Sequence, residues 1–139
     1  MAEKITLKMA QALSEGVRRY AETLGKNVVV AVCNSQGRII TVDVMDGAFL
    51  VSYDVATKKA YTSVAVKMST ARLGEEVKPG RALEGLNSDQ LIFFGGGEPL
   101  FAGEEVIGGL GVSGGIVKED TDFAVFGAKL FAELCKLMK

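Results

Sequence analysis

Val28-Val29-Val30-Ala31-Val32-Cys33 is an unbroken apolar run, followed at once by Asn34-Ser35-Gln36-Gly37 and the half-alternating run Ile39 to Met45. β-Branched side chains suit a pleated surface, and Asn, Ser and Gly favour reversals, so the segment predicts a β-hairpin. The first strand has almost no polar side on which to meet water. It belongs near the centre of a sheet, covered on both faces by helices or by another subunit. The second strand places Ile40, Val42 and Val44 on one face and Ile39, Thr41, Asp43 and Met45 on the other, which suits a less buried position.

Before the hairpin, Thr6 to Leu24 carries Leu13, Val17, Tyr20, Ala21 and Leu24 at helical spacing, with Thr6 as N-cap and Gly25 as the stop. After it, about Ser52 to Met68 forms a second helix with an unusual pattern. Tyr53, Ala56, Ala60 and Val64 share one side, while nearly opposite lie Val55, Lys59, Thr62, Ser63 and Val66, mostly small or β-branched. Such a helix has two things to pack against, its own sheet and either a neighbouring chain or a ligand cavity. Gly74 to Asn87 reads as short helical turns and loop, broken at Pro79-Gly80.

Strands are expected at Leu91 to Phe94, Pro99 to Ala102 and Val106 to Val112. From about Asp120 to Met138, Phe123, Phe126, Leu130, Leu134 and Leu137 make the apolar stripe of a last helix. The order lacks a repeated strand-helix alternation, which argues against a parallel doubly wound sheet. The fold class is α+β: about five antiparallel strands packed with N-terminal, central and C-terminal helices.

A chain of 139 residues, 48% of them hydrophobic, fits a single domain over residues 1–139 with one real core. Charged residues are 24% of the chain and the formal net charge is -1, so no bulk field draws it to nucleic acid or an anionic membrane. Met1 to Leu7 has no apolar leader pattern, and a cytoplasmic location is expected. Cys33 and Cys135 are far apart and spell out neither a redox pair nor a zinc site. The chain has no histidine. That removes the usual general base, the commonest metal ligand and the histidine-activated nucleophile pairs together.

Gly109-Leu110-Gly111-Val112-Ser113-Gly114 spells GxGxxG after a strand, but the second parallel strand of a dinucleotide site is missing. Glycines in a strand instead let another backbone, side chain or ligand come close. Gly95-Gly96-Gly97 reads as a bend permitting positive φ, or a pocket wall of exposed amides. Lys59 is the most suggestive charge, because its neighbours on the helix side are Val55, Thr62 and Val66. It is either a lysine snorkelling at a subunit seam or a cation that fixes a carboxylate. Asp46, before Gly47, is either a turn residue or its partner.

Met45-Asp46-Gly47-Ala48, Lys59-Ala60-Tyr61-Thr62, Gly95-Gly96-Gly97-Glu98-Pro99-Leu100 and Gly111-Val112-Ser113-Gly114-Gly115 stand in an order that resembles one family over nearly the whole chain. That family includes GlcG, the haem-binding HbpS proteins and the C-terminal domain of the PduO cobalamin adenosyltransferases. The resemblance implies a profilin-like fold, homo-oligomers from dimer to octamer, and in some members haem binding. It also implies an accessory role near glycolate, diol or glycerol catabolism. The haem-binding relatives use an axial histidine that this chain lacks, which leaves Met, Cys or Tyr for any haem ligation. The leading expectation is a binding module for a small anionic metabolite or cofactor, held by Asp46, Lys59, Ser113 and the backbone near Gly96, Gly97 and Gly114. The rival is a specialised enzyme acting on haem or a small hydroxy acid, for which no complete catalytic set is visible.

Overall fold

The computed structural model describes residues 4–137. The readings made at Met1, Ala2, Glu3 and Met138 lie outside these residues. The elements run α1 (Leu7–Thr23), β1 (Val29–Asn34), β2 (Ile39–Val44), α2 (Ser52–Val66), α3 (Thr70–Glu76), β3 (Gly97–Ala102), β4 (Glu105–Ser113) and α4 (Val117–Leu137). The strands form one antiparallel sheet in the order β2-β1-β4-β3. As its composition requires, β1 lies inside the sheet and β2, with its mixed faces, lies at an edge.

Alternation along β1 divides the core. Val28, Val30 and Val32 join Leu13, Val17, Leu110, Phe123 and Phe131 in a cluster under α1 and α4. Val29, Ala31 and Cys33 turn the other way and meet Ala56 and Ala60 of α2. All six residues of the run are fully buried. The chain therefore covers β1 by itself, so that strand supplies no surplus apolar surface for a partner subunit.

Local chemistry sets the helix ends. Thr6 Oγ1 accepts from Met9 N at 3.1 Å and caps α1, and Gly25 follows with φ 69°. These are the cap and stop that the sequence predicts. α2 buries Ser52, Ala56, Lys59, Ala60, Thr62 and Ser63. The two sides expected for this helix thus merge into one broad inward face, since Ala56 and Lys59, three apart, are neighbours on a helix surface. Its outward face carries Tyr53 and Tyr61, both exposed.

The sheet has four strands among the described residues, where about five were expected. Leu91 to Phe94 is not a strand, because it is drawn against two helices instead of the sheet. Ile92 N donates to Thr62 Oγ1 of α2 at 3.0 Å, and the Phe93 carbonyl packs on Gly74 of α3. The segment bridges α2 and α3, and β3 begins only at Gly97.

Candidate functional site

The site grows from the close approach of α2 to β4. A Cβ at Gly111 would overlap the Ala56 carbonyl, and one at Gly109 would overlap the Ala60 carbonyl. The glycines are thus required by a neighbouring backbone, as their place in a strand predicts. The one long side chain on the buried face of α2 is Lys59, which is 0% exposed. Lys59 Nζ donates to Val112 O at 2.8 Å, faces Asp120 Oδ2 at 3.5 Å and lies 5.1 Å from the centroid of the Phe94 ring. Gly96, at φ 121°, passes so near Nζ that a Cβ there would collide with it.

Asp120, itself buried, ties this cation to the start of α4. Its carboxylate accepts from Gly115 N at 2.8 Å and Gly114 N at 3.3 Å. Burial holds the Lys59 ammonium below the usual lysine range, and the charge and hydrogen bond of Asp120 recover part of that loss. Hydroxyls complete the arrangement. Thr70 Oγ1 accepts from Gly97 N at 2.9 Å, and Ser113 Oγ lies 3.4 Å from Ser52 Oγ.

The structure therefore gathers Lys59, Gly96, Gly97, Ser113 and Gly114, and separates Asp46 from them. Asp46 lines a 460 Å³ cleft with Arg18, Glu22, Asn27 and Asp43, and the carboxylate paired with Lys59 is Asp120. The expected snorkelling at a subunit seam is also corrected, because Lys59 is buried inside its own chain. The amides of Gly97 and Gly114, expected as ligand donors, are already bonded to Thr70 and Asp120. Asp120 and Phe94 were missed. A signal for Asp120 was present: it continues the buried stripe Phe123, Ala124, Gly127 and Phe131 by one turn, an acid on an apolar face.

The Phe94 ring, 5.1 Å from Lys59 Nζ, also lines a 340 Å³ groove with Ala71, Glu75, Lys78, Phe93, Val117 and Thr121. Phe94 is 43% exposed, so this residue meets solvent on one side and the buried cation on the other. Among the described residues no three His, Cys, Asp or Glu side chains gather as a metal site. Cys33 is fully buried, which pushes its thiol up to about 12, and Val28 N donates to Met45 Sδ at 3.4 Å. The Cys33 sulfur is thus withdrawn from any ligand, whereas Met45 is half-buried and lines the cleft at Asp46. No helix among the described residues is long and apolar enough to cross a membrane.

With this geometry in place, the pattern of the family described as haem-degrading protein HbpS-like matches residues 5–129. The chain belongs to the HbpS-like family. The HbpS-like chain is 35% identical over 133 residues to an uncharacterised 15.0 kDa protein of the dhaT-dhaS intergenic region of Citrobacter freundii, with 94% of each covered. It is 43% identical over 115 residues to the corrinoid adenosyltransferase PduO of Salmonella typhimurium. That match covers 81% of this chain and 34% of PduO, so the chain spans about a third of PduO's length. A solved PduOC:heme complex shares the fold at a TM-score of 0.86 and 35% identity, with 91% of this chain and 94% of that one covered.

Proposed function

We propose that this HbpS-like chain is a binding module for a small carboxylate-bearing metabolite or cofactor, received in the groove beside Phe94 and fixed by Lys59. The observation that carries the reading is a fully buried ammonium with one carboxylate at 3.5 Å and, 5.1 Å away, an aromatic ring that also lines a groove. A desolvated charge attracts a second acceptor more strongly than an exposed lysine does. Rotation of Phe94 would admit one. The same reading includes a homo-oligomer. Phe49, Leu50, Val51 and Tyr53 form an exposed apolar run at the start of α2, of the kind that marks a contact surface.

The test is a thermal-shift titration with glycolate, lactate and related acids. In the wild type the melting temperature should climb with ligand concentration. Lys59→Met lowers stability by itself, so the quantity to compare is the ligand-dependent increment. That increment should vanish in Lys59→Met and survive in Lys59→Arg. Equal increments in wild type and Lys59→Met would remove Lys59 as the anchor.

A second reading, haem binding, is favoured by the haem complex of the related PduOC structure. The buried Cys33 and the hydrogen-bonded Met45 do not fit an axial role. Tyr53 and Tyr61 are exposed and Tyr20, Met45 and Met68 are half-buried; of these the two exposed tyrosines and Met68 are the first to test, since the Met45 sulfur already accepts from Val28 N. A haem titration should give no sharp, saturable Soret shift. Such a shift, abolished by Tyr53→Phe, Tyr61→Phe or Met68→Leu, would establish that reading in place of the first.

A further inference from the structure

We propose that Lys59 captures a short-chain aldehyde as an imine in the groove beside Phe94, with Asp120 carrying the proton. The inference uses the groove of the preceding section but a different chemistry, since the ligand is a neutral carbonyl compound. Imine formation needs an amine that can give up its proton near neutral pH, a group to take and return that proton, and a dry place for the carbonyl carbon. Lys59 is 0% exposed, and its burial favours the neutral amine relative to a lysine in water. Asp120 is held by Gly115 N at 2.8 Å, with its other oxygen 3.5 Å from Nζ. That separation is long for a hydrogen bond and short enough for a proton to pass after a small shift. The groove is of mixed character, with Ala71, Phe93 and Val117 beside Glu75, Lys78 and Thr121, and its 340 Å³ suits a chain of a few carbons, while the dry part is the buried surroundings of Lys59 behind Phe94.

The step balances without an added reactant. The Lys59 ammonium gives a proton to Asp120 Oδ2, and the freed lone pair attacks the aldehyde carbon as Phe94 turns aside. The C–N bond forms, the carbonyl electron pair moves to oxygen, and a proton passes from nitrogen to that oxygen to give the carbinolamine. The nitrogen lone pair then expels the hydroxyl, which leaves as water with the proton returned by Asp120. Aldehyde and ammonium become protonated imine and water, with the charge again facing the Asp120 carboxylate. Addition of water reverses the sequence and releases the aldehyde.

The experiment uses the full chain, propanal as probe and cyanoborohydride to reduce any imine near pH 7, followed by peptide mapping. The expected result is an N-propyl adduct on Lys59 that forms ahead of adducts on exposed lysines such as Lys67 and Lys118. Adducts spread over the exposed lysines with Lys59 unmodified would overturn the proposal, whatever any variant does. Asp120→Asn should slow labelling of Lys59 by about 100-fold while leaving Lys67 unchanged, a factor typical of a positioned acid-base group. Equal Lys59 rates in the two proteins would overturn the role of Asp120. Phe94→Ala, which keeps the ion pair, should speed Lys59 labelling, and no change would overturn the gating by Phe94. Absent trapping with retained carboxylate-dependent stabilisation defeats imine capture alone. Intact trapping with no carboxylate response defeats the anion-binding function alone.

Discussion

Under α1 and α4, the sheet is filled by full-sized side chains: Leu13, Val17, Leu110, Phe123 and Phe131 are all completely buried. Under α2, Gly109 and Gly111 of β4 meet Ala56 and Ala60, and the helix backbone comes down almost onto the strand. The first face is held by the removal of hydrocarbon from water and by dense packing. The second leaves little room for hydrocarbon and brings main-chain carbonyls within reach. That is why a lysine can be buried there: Val112 O, Asp120 and the face of Phe94 take the place of water around Nζ. A polar site is found where backbone comes nearest, and a stable floor where side chains are largest.

The contrast predicts opposite sensitivities. Truncation should hurt most on the hydrocarbon face. Phe131→Ala should cost about 4 kcal/mol in denaturant unfolding, through lost burial and the cavity it leaves. A loss below about 1 kcal/mol would show that α4 collapses into the gap and that this face is less rigid than described.

Lys59→Met comes next. It leaves the Asp120 carboxylate buried without its cation, though still bonded to Gly114 N and Gly115 N, for an expected loss of about 3 kcal/mol. Combined with Asp120→Asn, the loss should be clearly smaller than the sum of the two singles. Strict additivity in that cycle would mean the two groups do not act as a pair.

Gly111→Ala tests the second face from the other direction. One methyl group pressed on the Ala56 carbonyl should cost about 2 kcal/mol, whereas adding carbon to a roomier position is tolerated. Unchanged stability would imply that α2 rides up without penalty.

The smallest effect concerns Glu98, whose register partner Leu110 belongs to the hydrocarbon face. Burial pushes its carboxyl up to about 7. The folded chain then holds this proton more tightly than the unfolded one, so its contribution favours folding at low pH and fades as pH rises through about 7. With water still reaching the group, wild type should lose about 1 kcal/mol between pH 5 and 8 that Glu98→Gln does not lose. Parallel stability-pH curves for the two proteins would place Glu98 in solvent.

Much of the fold was legible because it rests on local rules. The Val28 to Cys33 run could only be interior, Thr6 and Gly25 could only bracket a helix, and glycines in a strand had to admit a close neighbour. The candidate site was legible only in part: Lys59 and the glycines around it were visible, while its paired carboxylate and its aromatic neighbour were not. Lys59 was visible as an odd cation, yet its partner lies far along the chain, and Asp120 read as an ordinary acid near a helix start. Asp46 drew attention because it precedes Gly47 in the turn after the second strand, although it lines another cleft. Leu91 to Phe94 has strand-like composition, but Thr62 takes the Ile92 amide and the segment packs closely on Gly74 instead of joining the sheet.

The pairing of Lys59 with distant groups also sets an order of events in folding. Its acceptor Val112 O is 53 residues away, and Ser52 meets Ser113 across 61. Closing such a loop costs chain entropy first, and stripping water from the ammonium before Asp120 arrives costs more. We predict from this that α2 docks on β4 only once α4 has settled, with the ion pair unmade at the barrier to folding. Damage to it should accordingly appear as faster unfolding, with the refolding rate nearly untouched.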